Sequence, residues 1–174
     1  MISVYIDTNC INARRNSSAL NELERLYEEE LILIEKTDTL DTELARGTGY
    51  PQGQKKSMNY IESYGPIVLG YSRIGSSILG SDEDDKRFSK ILEILWGKKI
   101  RSMYSSSEIG DAMHIATAAR YGGTYFITNE NRLLIKSQEI KNEFSIEICR
   151  PEDCIERIKK RIKVLEDNGY NPRQ

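Results

Sequence analysis

The sequence predicts an α/β fold, a three-layer sandwich with a central, mostly parallel sheet, and three observations lead there. Apolar and β-branched runs recur at residues 2-6, 31-34, 124-128 and 145-149. Helix-like segments separate them, and parallel strands need crossovers of that kind. The 174 residues, 39% of them hydrophobic, suit one core and a single domain over 1-174.

Each element follows from local chemistry. ISVYI at 2-6 reads as a strand ending at Asp7, and SSALNELERLYEEE from Ser17 as a helix. LILI at 31-34 has the apolar continuity of a strand covered on both faces, and Thr39 can cap a short helix, LDTELA, that stops at Gly47. GTGYPQGQKK at 47-56 has the composition of a positively charged surface loop, and residues 58-80 show mixed periods that define no element. Asp82 to Asp85 open a helix that stops at Gly97, their charges suiting the positive end of its dipole. Ser107 can cap EIGDAMHIATAARY, which Gly122 and Gly123 terminate. TYFIT is a strand, 131-142 a helix, SIEIC a strand, and Pro151 starts the last helix. In that helix Ile155, Ile158, Ile162 and Leu165 recur at helical spacing, a face that covers the core or serves a dimer or partner helix.

Composition excludes several classes. With 25 Lys and Arg against 27 Asp and Glu the net charge is -2, so no global positive field draws in nucleic acid and any polyanion must be held locally. A mean hydropathy of -0.54, and no apolar run near the ~20 residues that cross a bilayer, argue against a membrane span. The start, MISVYIDTN, reads as no secretory signal, so a cytoplasmic location is expected. Cys10, Cys149 and Cys154 lack the spacing of a zinc site or disulfide framework and are expected as reduced thiols.

Carboxylates carry the chemistry. Asp7 follows the first strand, Glu43 lies on the helix after the second, Asp111 near the start of the alanine-rich helix, and Glu130 two residues after TYFIT. All four fall at or near one end of the sheet, where open α/β sheets bind ligands. Unneutralised, such a group repels itself. A divalent cation removes that repulsion, and an oxygen-rich set suits Mg²⁺ or Mn²⁺ better than zinc. His114, the single histidine, excludes a multi-histidine site and reads as a hydrogen-bonded packing residue. Cys10 reads as a packed thiol.

VYIDTNCI, TDTLDTELA, EIGDAMHIATAARYGGTYFIT and TNENRLL resemble the PIN-domain ribonucleases, including the VapC-type toxins of toxin-antitoxin pairs. The resemblance spans about residues 2-149, with poor correspondence over 47-80. It implies a PIN-like fold and a Mg²⁺- or Mn²⁺-dependent endoribonuclease leaving 5'-phosphate and 3'-hydroxyl ends. Asp7, Glu43 and Asp111 match the family's metal-binding carboxylates, Asn9 its supporting neighbour, and Thr128 and Asn129 the residues that orient the loop. Glu130 is expected to assist these three as a fourth metal-binding, catalytic carboxylate, although it departs from the usual aspartate and its extra methylene pushes the carboxylate outward. Lys55, Lys56, Arg14, Arg15 and Arg46 are candidates for phosphate contacts. A toxin implies an antitoxin partner that covers the acidic groove.

Other readings of the same residues stand beside this one. Haloacid-dehalogenase-like phosphatases place a nucleophilic aspartate after the first strand, but their pattern is Asp-x-Asp and Asn9 cannot shuttle a proton. A receiver domain expects adjacent acids where SVYID offers one. A PIN-like scaffold that binds RNA or a protein without cleaving is the non-enzymatic alternative.

Overall fold

A computed structural model describes residues 1-13, 17-46, 57-73 and 75-169. Strand β1 (Ile2–Ile6) leads through α1 (Thr8–Ala13) and α2 (Ser18–Glu28) to β2 (Ile32–Thr37). Helix α3 (Asp38–Arg46) precedes β3 (Ile61–Ser63), and α4 (Asp82–Trp96), a 3-10 turn (Arg101–Met103) and α5 (Ser106–Arg120) lead to β4 (Tyr125–Ile127). Two short helices, α6 (Asn131–Leu134) and α7 (Ser137–Phe144), precede β5 (Glu147–Cys149) and the closing helix α8 (Pro151–Asp167).

Among the described residues the strands form one sheet in the order β3-β2-β1-β4-β5, every pair parallel. The chain steps outward from β1 to β2 and β3, then returns to the other side of β1 for β4 and β5. That reversal opens a crevice beyond the carboxyl ends of β1 and β4. The α/β class with helices on both faces is the one the alternation predicts.

Alternate strand residues divide the core in two. Val4, Ile6, Ile32, Ile34, Tyr125 and Ile127 pack against α2 and α8 on one face, with Leu20, Leu23, Ile155 and Ile158 opposite. Tyr5, Phe126 and Ile148 meet Phe88, Ile91, Ile109 and Ile115 of α4 and α5 on the other. The apolar face of α8 is therefore used inside the chain: Ile155 and Ile158 are buried and Ile162 packs on the same core. No described helix is long and apolar enough to cross a membrane.

Several elements differ from the sequence reading: α1 has no counterpart in it, and β2 runs on to Thr37 rather than ending at Ile34. Ser105, rather than Ser107, caps α5, because Glu108 three residues on returns a bond to the Ser105 backbone N–H and closes a capping box. Thr39 does not cap α3: the helix begins at Asp38, directly after β2, and the Thr39 hydroxyl is buried without a hydrogen-bond partner. The helix expected over 131-142 is two, the second turned onto the sheet by Ser137 Oγ donating to the Ile148 carbonyl at 2.5 Å. The undefined stretch contributes β3 and a loop tied to the start of α3 by Asp38, which accepts from the Gly65 N–H at 3.0 Å and Ser77 Oγ at 2.7 Å. The surface-loop reading of 47-56 lies outside the described residues.

Gly123 lets the end of α5 approach β1. A Cβ there would lie 2.7 Å from Tyr5 Cδ2 and 3.1 Å from the Ala118 carbonyl oxygen, and Tyr5 is fully buried. Gly123→Ala is expected to destabilise the fold by about 1–3 kcal/mol, read as a lower urea midpoint at unchanged slope.

Candidate metal centre

Asp7 leaves β1 at the crevice and stays only 6% exposed. Its backbone N–H donates to the Ile127 carbonyl at 3.0 Å, so the β1–β4 ladder delivers it to a fixed point. Asp7 Oδ2 accepts from Thr128 Oγ1 at 2.5 Å and Asn9 Nδ2 at 2.7 Å. Thr128 Oγ1 in turn accepts from the Glu130 N–H at 2.9 Å, and Asn9 Oδ1 from the Asn129 N–H at 3.1 Å. Asn9, Thr128 and Asn129 thus form one hydrogen-bonded network with the Asp7 carboxylate.

Glu43 arrives from α3. Its Oε2 accepts from Thr8 Oγ1 at 2.6 Å and lies 3.3 Å from His114 Nε2, an ion-pair contact rather than a well-directed hydrogen bond. Gly110 lets α5 come this close, since a Cβ there would sit 2.7 Å from Glu43 Oε1. His114, fully buried on α5, has its Nδ1 2.6 Å from Thr37 Oγ1 at the end of β2. Asp7, Glu43 and His114 each offer a donor atom within 4.8 Å of the other two, a spacing one cation can span. Asp111, one helical turn before His114, keeps a buried oxygen, Oδ2, with no hydrogen-bond partner.

The charges confirm how crowded the cluster is. Burial, then Asp7 and Glu43, push Asp111 up to about 7 against the relief His114 and Arg132 give. Asp7 is raised by burial and by Glu43, although His114 and the Thr128 hydroxyl pull it down. For His114 burial favours the neutral ring, but Glu43, Asp7 and Asp111 overcome it and hold the imidazole at about 9. An imidazolium therefore partly offsets the charge of an acidic group in which Asp7 is buried and Glu43 and Asp111 are partly buried.

Placement of the expected residues is uneven. Asp7 and Glu43 converge, and Asp111 stands in their field. Neither Asp111 nor Glu130 joins the group of three: Asp111 keeps its unpartnered Oδ2 beside it, and Glu130 sits on the rim with Oε1 2.9 Å from Arg132 Nε. Lys55, Lys56, Arg14 and Arg15 lie outside the described residues, as does the Arg46 side chain. Cys10 is buried beside the site and its thiol is raised by that burial, as a packed thiol should be. His114 is the residue that sequence reasoning underrated: its i,i+3 spacing from Asp111 put both on one helix face, but only the fold brings Glu43 to its ring. Arg132 gave no signal in the sequence beyond its charge.

No family profile matches the chain, and no curated protein matches it. Among solved structures it is similar to VapBC2 from Rickettsia felis, described as bound to a DNA fragment from their promoter. The identity is 17%, the match covers 84% of this chain and 98% of that one, and the TM-score is 0.46.

A pH dependence follows from the raised groups. Asp111 rises from 3.8 to about 7 and His114 from 6.5 to about 9, so the folded chain binds protons that the unfolded chain releases. Their contribution is fullest below the unfolded values and is lost as pH climbs through the folded ones. Metal-free protein should therefore melt at falling temperatures from about pH 5 to pH 9. Mn²⁺ should raise the melting temperature most at the alkaline end, and Asp111→Asn should flatten the acid part of the profile. Thermal melts with and without Mn²⁺ across that range check it.

Proposed function

We propose that the chain is a Mg²⁺- or Mn²⁺-dependent endoribonuclease of PIN type, hydrolysing RNA phosphodiester bonds to 5'-phosphate and 3'-hydroxyl ends. The observation that carries this is the convergence of Asp7, Glu43 and His114 donor atoms within 4.8 Å, beside the buried, unpartnered Asp111 Oδ2, at the sheet's switch point. The motif resemblance around these residues adds to it.

The residues present fit a divalent cation. Oxygen donors dominate, Asp111 Oδ2 lacks a partner, and the mutual repulsion of the carboxylates is the penalty that a cation removes. Asp7, Glu43 and Asp111 would hold the ion, while Glu130, paired on the rim, stands outside this set. When bound, such an ion lowers the pKa of the attacking water and offsets charge growing on the scissile phosphate. Thr128 and Asn9 lock the Asp7 carboxylate, so its orientation is set before substrate arrives. Thr8 and His114 do the same for Glu43, with Thr37 fixing the imidazole from behind.

The biological setting proposed is a cytoplasmic toxin held in check by an antitoxin protein that covers the acidic crevice. Cys10, Cys149 and Cys154, all buried and unbridged, suit a reducing compartment. The imidazolium beside Glu43 favours a second reading, because a built-in cation stabilises the cluster without metal: a PIN-like module that binds RNA or a protein without cutting.

Cleavage of a panel of structured RNAs separates the two. Mn²⁺-dependent cutting that EDTA abolishes, and that Asp7→Asn reduces by about 10²-fold or more, is the expected result; no metal-dependent cutting leaves the binding module. Induced expression of the chain alone should arrest growth. Harmless accumulation of soluble, active nuclease would remove the toxin assignment.

A further inference from the structure

A polyanionic substrate must approach three carboxylates, so a cation at the crevice rim has to meet its phosphates. Helix α6 begins directly after the Thr128–Glu130 loop, and its second residue is Arg132. The Arg132 charge reaches Asp111, drawing its carboxyl down against burial. Two contacts hold the guanidinium although the side chain is 54% exposed: Nε lies 2.9 Å from Glu130 Oε1, and Cζ stands 5.2 Å from the Trp96 ring centroid. Trp96 is itself anchored, its Nε1–H donating to the Glu108 carbonyl at 3.2 Å.

Stability does not explain this arrangement, since an exposed ion pair contributes about 1 kcal/mol at most. Among the described residues no protein acceptor is recorded for the Nη atoms. With Nε tied back, the guanidinium presents a pre-oriented fork, the geometry that matches phosphate oxygens. Glu130 explains itself in the same way. It lies outside the three-residue group, and the carboxylate that sequence matching offers to a metal is given to arginine instead.

Resting on the reading that the substrate is RNA, we propose that Arg132 contacts the phosphate backbone of single-stranded RNA at the rim of the carboxylate cluster, and that Glu130 is the residue positioning its guanidinium rather than a metal ligand. The ring of Trp96 completes the mount.

Fluorescence anisotropy with a short labelled single-stranded RNA tests this in the full chain, with Asp7→Asn as background to suppress turnover. Arg132→Ala should weaken binding about tenfold or more and flatten the slope of log affinity against log salt by about 0.7, the share of one phosphate contact. Arg132→Lys should recover the salt slope and only part of the affinity, because the charge returns without the fork. In the otherwise unaltered chain, Glu130→Gln should weaken RNA binding while calorimetry shows the same number of Mn²⁺ ions bound. Unchanged affinity and salt slope in Arg132→Ala would overturn the proposal, as would loss of a Mn²⁺ site in Glu130→Gln. A chain that cleaves RNA but binds it normally without Arg132 defeats this inference alone; one that neither cleaves nor binds RNA defeats the ribonuclease reading with it.

Discussion

Like charges held out of water where β1 meets β4 constrain everything else in this molecule. Asp7 is buried, Asp111 half-buried with one oxygen sealed off, and Glu43 is drawn between Thr8 and His114. Bringing carboxylates together in a poorly solvated crevice opposes folding unless something positive or hydrogen-bonded meets them. The protein supplies both: hydroxyl and amide donors from Thr128, Asn9 and Thr8, and an imidazolium backed by Thr37. Among the described residues of the cluster, one oxygen of Asp111 and the His114 Nε2 facing Glu43 keep no hydrogen bond.

Two acids outside the site, Glu35 and Asp84, are fully met by donors. Glu35 on β2 accepts from Ser3 Oγ at 2.5 Å, Tyr5 Oη at 2.8 Å and Ser63 Oγ at 3.0 Å, so one carboxylate ties three adjacent strands together. Asp84, in the first turn of α4, takes the Ser81 backbone N–H and hydroxyl and the guanidinium groups of Arg87 and Arg120. Burial alone would raise its pKa, yet these donors hold it well below the usual carboxylate range. These two acids are surrounded by donors, whereas Asp111 stands among other acids. That contrast, rather than the number of acidic residues, separates the site from the framework.

Much of the architecture is legible in local pattern. Apolar runs and helical spacing announce β1, β2, β4, β5 and the longer helices, though not α1, because burying one face leaves a periodic trace that six residues are too few to show. Three further details escape that logic. β3 has three residues on the sheet edge with Ile61 half exposed, too short and too open for a period to register. The cap at Ser105 depends on Glu108 returning a hydrogen bond, which composition alone does not decide between nearby serines. The break between α6 and α7 depends on a carbonyl of β5, distant in sequence from the helix start.

The site divides along the same line. By itself the sequence determined the fold class, the strand end bearing Asp7 and the helices bearing Glu43 and Asp111, since each follows from a short motif next to a strand or on a helix. Only the tertiary structure decided that His114 faces Glu43 and that Glu130 turns to Arg132 on the rim. Those outcomes depend on how β2, α3, α5 and the loop after β4 approach one another. A side chain's partner across such distances is set by packing and by the field of neighbouring charges, and neither is written in the spacing of residues along the chain.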